Sequence, residues 1–197
     1  MSITQEFPHH QFAWKVLGAI LGQTDRKSEA IKAHQTAVAI DPKDAEAHNN
    51  LGATLKELGR LDEAEVCCKQ AIALKSDYAE AHNNLGNMLK EVGRLDEAEE
   101  RLTQAIVLRP DLAEAHYNLG NTLQEQGRLD EAEASYLQAI GLNPDYAEAH
   151  NNLGNTLQKL TRLSEAEASL RQAIALQPNY ALTHSNLAKV LYKLGYK

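Results

Sequence analysis

The sequence is poor in aromatic residues, which make up 5% of its 197 residues, and alanine and leucine supply most of its apolar character. A β-sandwich core is normally built from aromatic and β-branched side chains, so this composition favours helices packed through small residues. No apolar stretch approaches the roughly 20 residues that a membrane-spanning helix requires. The first residues, 1–10, contain no apolar segment of signal-peptide length. We therefore expect a cytoplasmic protein that makes no contact with membranes.

Positive charge and cysteine are also scarce. The formal net charge is −7, and no run of lysine or arginine supplies the basic face that a nucleic-acid-binding protein needs. The two cysteines, Cys67 and Cys68, are adjacent, and a disulfide between neighbours is strained. Two free thiols fit a reducing compartment. With no C-x-x-C motif, we interpret Cys68 as a small hydrophobic core residue rather than a redox centre.

The sequence does contain an internal repeat with a period of 34 residues. The string A-E-A-H-N-N-L-G begins at Ala45, Ala79 and Ala147, and A-E-A-H-Y-N-L-G begins at Ala113. With Ala45 as position 1 of the repeat, glycine recurs at position 8 and alanine at positions 20 and 27. Proline recurs at position 32, as Pro42, Pro110, Pro144 and Pro178, with Ser76 as the exception.

The repeat has the periodicity of two amphipathic helices. Positions 4, 7, 8, 11 and 14 fall on one face at 100° per residue and carry mostly leucine. Gly59, Gly93 and Gly127 stand where the first helix must end in a left-handed residue. Asp-Glu-Ala then opens a second helix with acids at its positive end. Three aspartates each precede a glutamate by three residues and predict a capping box at the start of the first helix: Asp77, Asp111 and Asp145.

This pattern resembles the tetratricopeptide repeat family, whose signature is W-x-x-L-G-x-x-Y, then A-x-x-x-F, then A and P, at the same period. Trp14, Leu17 and Gly18 keep the start of that signature. The chain departs from it where leucine replaces tyrosine at position 11, and at position 24, which is variable: His34, Cys68, Leu102, Tyr136 and Leu170. The resemblance implies an all-α fold, an α-solenoid in which stacked helix-turn-helix hairpins form a right-handed superhelix.

The register predicts five repeats, followed by a first helix or capping helix at 181–197. The repeats span 11–44, 45–78, 79–112, 113–146 and 147–180. Residues 1–10 are expected to be the end of a preceding partial repeat, with 2–7 as the tail of its second helix. Both ends would then cut a repeat. The last helix leaves Leu187, Leu191 and Leu194 without a second helix to cover them, so self-association through the array ends is expected.

Asparagine supplies the candidate binding site. Asparagine is a poor helix former, yet it recurs at positions 5, 6 and 9 on the face opposite the leucines. By resemblance to the family, that face lines a concave groove, and the row is similar to the asparagine ladder of O-linked N-acetylglucosamine transferases. A side-chain amide complements a peptide bond, so these residues are expected to clamp an extended peptide. They are Asn49, Asn50, Asn83, Asn84, Asn87, Asn118, Asn121, Asn151, Asn152, Asn155 and Asn186.

Two other kinds of site are disfavoured. The family's carboxylate clamp needs basic residues at positions 2, 5 and 6, where only Lys15 and Asn50 fit and position 2 carries glutamate. That glutamate row instead favours neutral or basic partners. Histidine recurs at position 4, from His48 to His184, but residues one repeat apart are too distant to share a metal ion. We expect a packing role for these histidines, with no metal site and no cofactor.

Two functions remain open. The chain is either a non-enzymatic scaffold that binds an extended peptide or partner protein, or the substrate-recruiting arm of a larger enzyme such as a glycosyltransferase, sulfotransferase or methyltransferase. The first is favoured because the repeats fill the chain and no phosphate loop, G-x-S-x-G or H-E-x-x-H motif occurs. The irregular residues Ser76 and Thr161 argue against a consensus design.

Overall fold

The computed structural model describes residues 9–24 and 26–196, and the expected helix tail at 2–7 lies outside them. In the described residues the protein is all-α, with repeated pairs of helices. The helices are α1 (Gln11–Gly22), α2 (Lys27–Ile40), α3 (Ala45–Glu57), α4 (Leu61–Leu74), α5 (Ala79–Glu91), α6 (Leu95–Leu108), α7 (Ala113–Glu125), α8 (Leu129–Leu142), α9 (Ala147–Lys159), α10 (Leu163–Leu176) and α11 (Ala181–Leu194). None of these helices combines the length and apolar character needed to cross a bilayer.

The chain divides into two compact units, Met1–Val92 and Gly93–Lys197. In the first unit α1 packs on α2 and α3 on α4, and α5 follows against α4. In the second unit α6 packs against α7, α7 on α8, and α9 on α10, and α11 closes the series against α10. The first helices of successive hairpins are also neighbours, α1 with α3 and α3 with α5 in one unit, and α7 with α9 and α9 with α11 in the other.

Glycine ends the first helix of the repeats as the sequence predicts. Gly59, Gly93 and Gly127 have φ angles of 72°, 77° and 79°. This left-handed conformation is accessible to glycine but costs a residue with a Cβ atom about 1–2 kcal/mol. Thr161 occupies the same repeat position with a φ of 62°. Threonine has a Cβ atom, so this left-handed conformation is strained there.

The capping-box prediction is wrong for Asp77, Asp111 and Asp145. The helices that follow begin one residue later than that prediction requires, and their N-cap residues, at 78, 112 and 146, make no side-chain capping hydrogen bond. The three aspartates therefore stand one position before the N-cap, which is the position from which a side chain normally caps. Of the helices in the described residues, only α3 has an aspartate in the N-cap position: Asp44 accepts hydrogen bonds from the backbone N–H groups of Glu46 and Ala47.

Small residues bring the helices together. Alanine at positions 20 and 27 is fully buried in every repeat from Ala30 to Ala173. Glycine at position 8 makes room for the variable side chain at position 24 of the same hairpin. A Cβ atom built on Gly120 would lie 2.6 Å from the Tyr136 ring, and one on Gly154 would lie 2.6 Å from Leu170. The absence of a side chain at position 8 therefore lets position 24 be aromatic, aliphatic or polar.

Arginine and glutamate flank the start of each second helix. At α4, the guanidinium of Arg60 donates to both carboxylate oxygens of Glu63, at 2.7 and 2.6 Å. The same bidentate pair recurs at residues 26 and 29, 94 and 97, 128 and 131, and 162 and 165. These pairs are solvent-exposed, so each contributes little to stability. These glutamates therefore pair with arginine at the surface, and the N-cap residues of these helices make no side-chain capping hydrogen bond.

Candidate functional site

The eleven candidate asparagines divide into two groups by burial. Five are buried, with between 0% and 6% of their surface exposed: Asn49, Asn83, Asn118, Asn151 and Asn186. Six are half-buried and keep part of their surface in solvent: Asn50, Asn84, Asn87, Asn121, Asn152 and Asn155. Only the second group can contact a peptide without a rearrangement of the helices.

The buried amides join the first helices of neighbouring hairpins. The side-chain amide of Asn84 on α5 donates to the Asn49 carbonyl oxygen on α3, at 2.9 Å. The amide of Asn186 on α11 donates to the Asn151 oxygen on α9, at 3.1 Å. In both cases position 6 of one repeat donates to position 5 of the repeat before it. Sequence reasoning missed this role, although the adjacent Asn-Asn pairs already place a donor and an acceptor 35 residues apart.

Tyr117 takes the place of asparagine at position 5 in the second unit, and the amide network widens there. The Asn152 amide donates to the Tyr117 hydroxyl oxygen at 3.2 Å and to the Asn121 carbonyl oxygen at 2.8 Å. The buried Tyr136 hydroxyl donates to the same Asn121 oxygen, at 2.8 Å. Asn121 and Asn152 therefore use most of their side-chain donors and acceptors in hydrogen bonds within the protein.

Three half-buried amides remain available. Among the described residues, the side chains of Asn50, Asn87 and Asn155 have no hydrogen-bond partner, while the other half-buried asparagines all do. Asn50 also lines a pocket of about 380 Å³ between α1 and α3. These three residues are the part of the predicted site that an external ligand can engage.

The floor of that pocket includes His34, whose surface is only 2% exposed. Its ring fills the space left by Gly18, and its Nδ1 atom has no hydrogen-bond partner in the described part of the chain. Burial lowers the pKa of His34, because a charged imidazole loses its hydration there. The ring is therefore neutral at pH 7 and acts as a packed core side chain.

The histidines at position 4 each bond to the loop before their helix. The Nε2 atom of His116 lies 2.9 Å from the carbonyl oxygen of Pro110, and that of His184 lies 2.7 Å from Pro178. The other three make the same contact six residues back, at 3.0–3.1 Å: His48, His82 and His150. Since a carbonyl oxygen only accepts, Nε2 carries the proton and donates. Among the described residues no three potential ligands are grouped closely enough to hold a metal ion.

Lys15 forms ion pairs with two carboxylates of the protein itself. Its ammonium group pairs with Asp44 at 3.0 Å and also with Glu46, and Gln11 donates to the same Asp44 carboxylate at 2.8 Å. The burial of Lys15 lowers its pKa, but hydrogen bonds and charge interactions with these two carboxylates outweigh that and raise it overall. An ammonium held in this way is not available to a carboxylate-tailed peptide, in agreement with the disfavoured clamp.

Both cysteines are free thiols. Cys68 is fully buried beneath Gly52, and burial, followed by the neighbouring Cys67, raises its pKa to about 12. A nucleophilic cysteine needs a lowered pKa and solvent access. The interpretation of Cys68 as a core residue is therefore consistent with its surroundings.

Comparison with known proteins gives the family. A family model described as TPR repeat matches residues 23–59, 86–127, 120–160 and 162–195. Two models described as tetratricopeptide repeat match residues 45–78 and 67–100. A comparison with curated proteins finds no match.

Several solved structures share the fold. YrrB, described as a TPR protein with an unusual peptide-binding site, is 22% identical, with a TM-score of 0.67 over 94% of this chain and 95% of that one. The Cut9–Hcn1 hetero-tetramer of the APC/C is 21% identical, with a TM-score of 0.90 over 98% of this chain and 38% of that one. A TPR protein of Thermus thermophilus is 25% identical, with a TM-score of 0.78 over 92% of this chain and 99% of that one.

These likenesses establish the fold and give no specific support to the similarity with O-linked N-acetylglucosamine transferases, which rests on the asparagine positions alone. The family models together cover more than half of the chain, and the helix pairs that they describe are those of the structure. The chain belongs to the tetratricopeptide repeat family.

Proposed function

We propose that this chain is a non-catalytic binding module that holds an extended segment of another protein against the amide-bearing faces of its first helices. The observation that carries the proposal is the unsatisfied hydrogen-bonding capacity of Asn50, Asn87 and Asn155. Each of these amides is partly shielded from water and has no partner in the described structure. YrrB, which shares the fold, is described as having a peptide-binding site, and this supports the proposal by analogy.

The chemistry of a side-chain amide suits a peptide backbone. It offers two donors and one acceptor, which complement the carbonyl oxygen and N–H group of a peptide bond. Packed helices lie about 8–10 Å apart, and an extended chain rises about 3.3 Å per residue. An amide on each of two neighbouring helices, such as Asn50 on α3 and Asn87 on α5, would therefore contact about every third residue of the bound segment. Recognition of this kind depends little on the side chains of the ligand.

Charge selects among possible partners. Glutamate recurs at position 2 in the first turn of α3, α5, α7 and α9. Lys15 already neutralises Glu46, whereas Glu114 and Glu148 form no ion pair among the described residues and leave this edge of the face negative in the second unit. Basic or neutral segments are therefore the proposed ligands, and acidic tails are disfavoured.

Peptide selection followed by substitution tests the proposal. A binding peptide is selected from a random displayed library against the full chain, and its Kd is measured with each asparagine replaced by alanine. We expect Asn50→Ala, Asn87→Ala and Asn155→Ala each to raise the Kd by about 2–12-fold, the effect of a hydrogen bond worth about 0.5–1.5 kcal/mol. Gln172→Ala, an exposed amide on the second helix α10, is the control and should leave the Kd unchanged. Equal Kd values for all four variants would contradict the proposal.

Two further predictions made from the sequence remain to be tested beside this proposal. A substrate-recruiting arm of a larger enzyme would use the same amide face, so the Kd measurement applies to it as well.

Self-association through the array ends would involve α11, where Leu187 and Leu194 are half-buried against the core of the second unit and Leu182 is 53% exposed. Sedimentation over a range of concentrations tests that prediction, and a monomer at every concentration would contradict it.

A further inference from the structure

A cluster of tyrosines lies on the first helices of the second unit. The rings of Tyr117 on α7 and Tyr146, the N-cap residue of α9, have centroids 4.8 Å apart and are tilted by 37°. Both rings are half-buried, so part of each remains in contact with solvent. Tyr180 is the N-cap residue of α11, and burial, followed by Tyr117 and Glu148, raises its pKa.

Two carboxylates without counter-charges flank these rings. Glu114 and Glu148 lie in the first turns of α7 and α9. Glu114 lies one turn before Tyr117 on α7, and Glu148 follows Tyr146 by two residues, so both carboxylates belong to the same helix ends as the rings. Burial raises the pKa of the Tyr146 hydroxyl, and Tyr117, Glu114 and Glu148 raise it further. Neither glutamate forms an ion pair with any described residue. The cluster therefore combines half-buried tyrosine rings with two carboxylates that form no ion pair among the described residues.

The equivalent arrangement in the first unit does contain cations. Tyr78, two repeats before Tyr146, has the Lys75 ammonium 5.1 Å from its ring centroid. Beside it, the Lys15 ammonium occupies the position between Asp44 and Glu46. Two repeats on, the counterpart of Lys75 is Asn143. The framework therefore holds a lysine ammonium against the Tyr78 ring in the first unit, and the equivalent position before Tyr146 carries a neutral amide.

We propose that Tyr117, Tyr146, Glu114 and Glu148 form a subsite for the cationic side chain, lysine or arginine, of a bound peptide. The faces of the tyrosine rings attract a cation through their quadrupoles, and this attraction is strongest where the site is partly desolvated. The carboxylates add a charge interaction and hydrogen-bond acceptors for an ammonium or guanidinium group. The subsite deepens the proposed function, on which it rests, by assigning a basic residue to the segment that contacts the second unit.

Two peptides that differ only in charge test the subsite. Both are twelve-residue chains of glycine and serine, with either arginine or its neutral isostere citrulline at the centre. Each is titrated into the full chain and followed by NMR of the tyrosine ring protons. We expect the arginine peptide to bind at least fivefold more tightly than the citrulline peptide and to shift the ring resonances of Tyr117 and Tyr146.

Three variants separate recognition from folding. Tyr117→Asn copies Asn49 and Asn151 at the same repeat position, so it keeps an acceptor for Asn152 while removing the ring, and it should abolish the preference for arginine. Glu148→Gln should reduce the preference about threefold. Tyr117→Phe keeps the ring but loses the hydroxyl, so it should retain the preference while the protein becomes less stable.

The possible failures have different meanings. If neither peptide binds, both the proposed function and the subsite are wrong. If both bind with the same Kd, backbone recognition stands and the subsite is overturned. A preference for arginine that survives in both Tyr117→Asn and Glu148→Gln would also overturn the subsite, because the cation would then be recognised elsewhere.

Discussion

Replacement of Asn151 by alanine provides the sharpest test of the amide bridges between hairpins. The Asn151 side chain is fully buried, accepts a hydrogen bond from Asn186 at 3.1 Å, and donates one to Asn152 at 3.0 Å. Its loss leaves the buried Asn186 amide without its acceptor. An unsatisfied buried donor costs about 1–3 kcal/mol.

The gain in helix propensity offsets part of this cost. Alanine favours a helix interior over asparagine by about 0.5–0.7 kcal/mol. We therefore expect the free energy of unfolding to fall by about 0.3–2.5 kcal/mol in Asn151→Ala. Asn155→Ala, on the same helix and without a hydrogen-bond partner in the described structure, is the matched control and should leave stability unchanged or slightly increased.

Urea denaturation followed by far-UV circular dichroism measures both variants. A double-mutant cycle with Asn186→Ala isolates the bridge itself, for which we expect a coupling energy of about 1 kcal/mol. If Asn151→Ala and Asn155→Ala differ by less than about 0.5 kcal/mol, the amide bridge does not stabilise the contact between α9 and α11. A coupling energy of zero would lead to the same conclusion.

Three further predictions concern single positions of the framework. Thr161→Gly should raise the free energy of unfolding by up to about 1 kcal/mol, because glycine adopts the φ of 62° without strain; no increase in the urea midpoint would contradict this. Gly120→Ala should lower the free energy of unfolding by about 1–3 kcal/mol, because the new methyl group would lie 2.6 Å from the Tyr136 ring. Gly141→Ala is the control: this helical site has no atom within 4 Å of the added methyl group, so the substitution should be neutral or stabilising. Stability should also decrease as the pH falls below about 6.5, because the unfolded state protonates His34 before the folded state does. His34→Leu, which copies Leu170, should reduce that slope in urea titrations between pH 7 and pH 5, and an unchanged slope would refute the assignment.

The repeating framework was predictable because it depends on local chemistry. The 34-residue period, the buried alanines and the left-handed glycines at 59, 93 and 127 each follow from a residue type with a strong conformational or steric preference. The helix starts were less predictable. The spacing between Asp77 and the next glutamate indicates a helix start but does not locate it to within one residue. A shift of one residue decides whether the aspartate stands at the N-cap and can cap the helix.

The asparagine face was predicted only in part. A helical wheel places positions 5, 6 and 9 on the side away from the leucines, but it describes one helix without its neighbours. Asn49 is buried because Asn84 of the next hairpin reaches it, and this contact depends on the packing of α3 against α5. Tyr117 stood out in the sequence only as an exception to an asparagine column. Its pairing with the ring of Tyr146 required the structure.

The most direct test of the central claim is an NMR titration of the full chain with a selected binding peptide, observed through the side-chain amide groups of asparagine. We expect the resonances of Asn50, Asn87 and Asn155 to shift with peptide concentration, while those of the bridging residues Asn151 and Asn186 stay in place. Shifts confined to the bridging amides, or no shift at the three available ones on saturation, would contradict it.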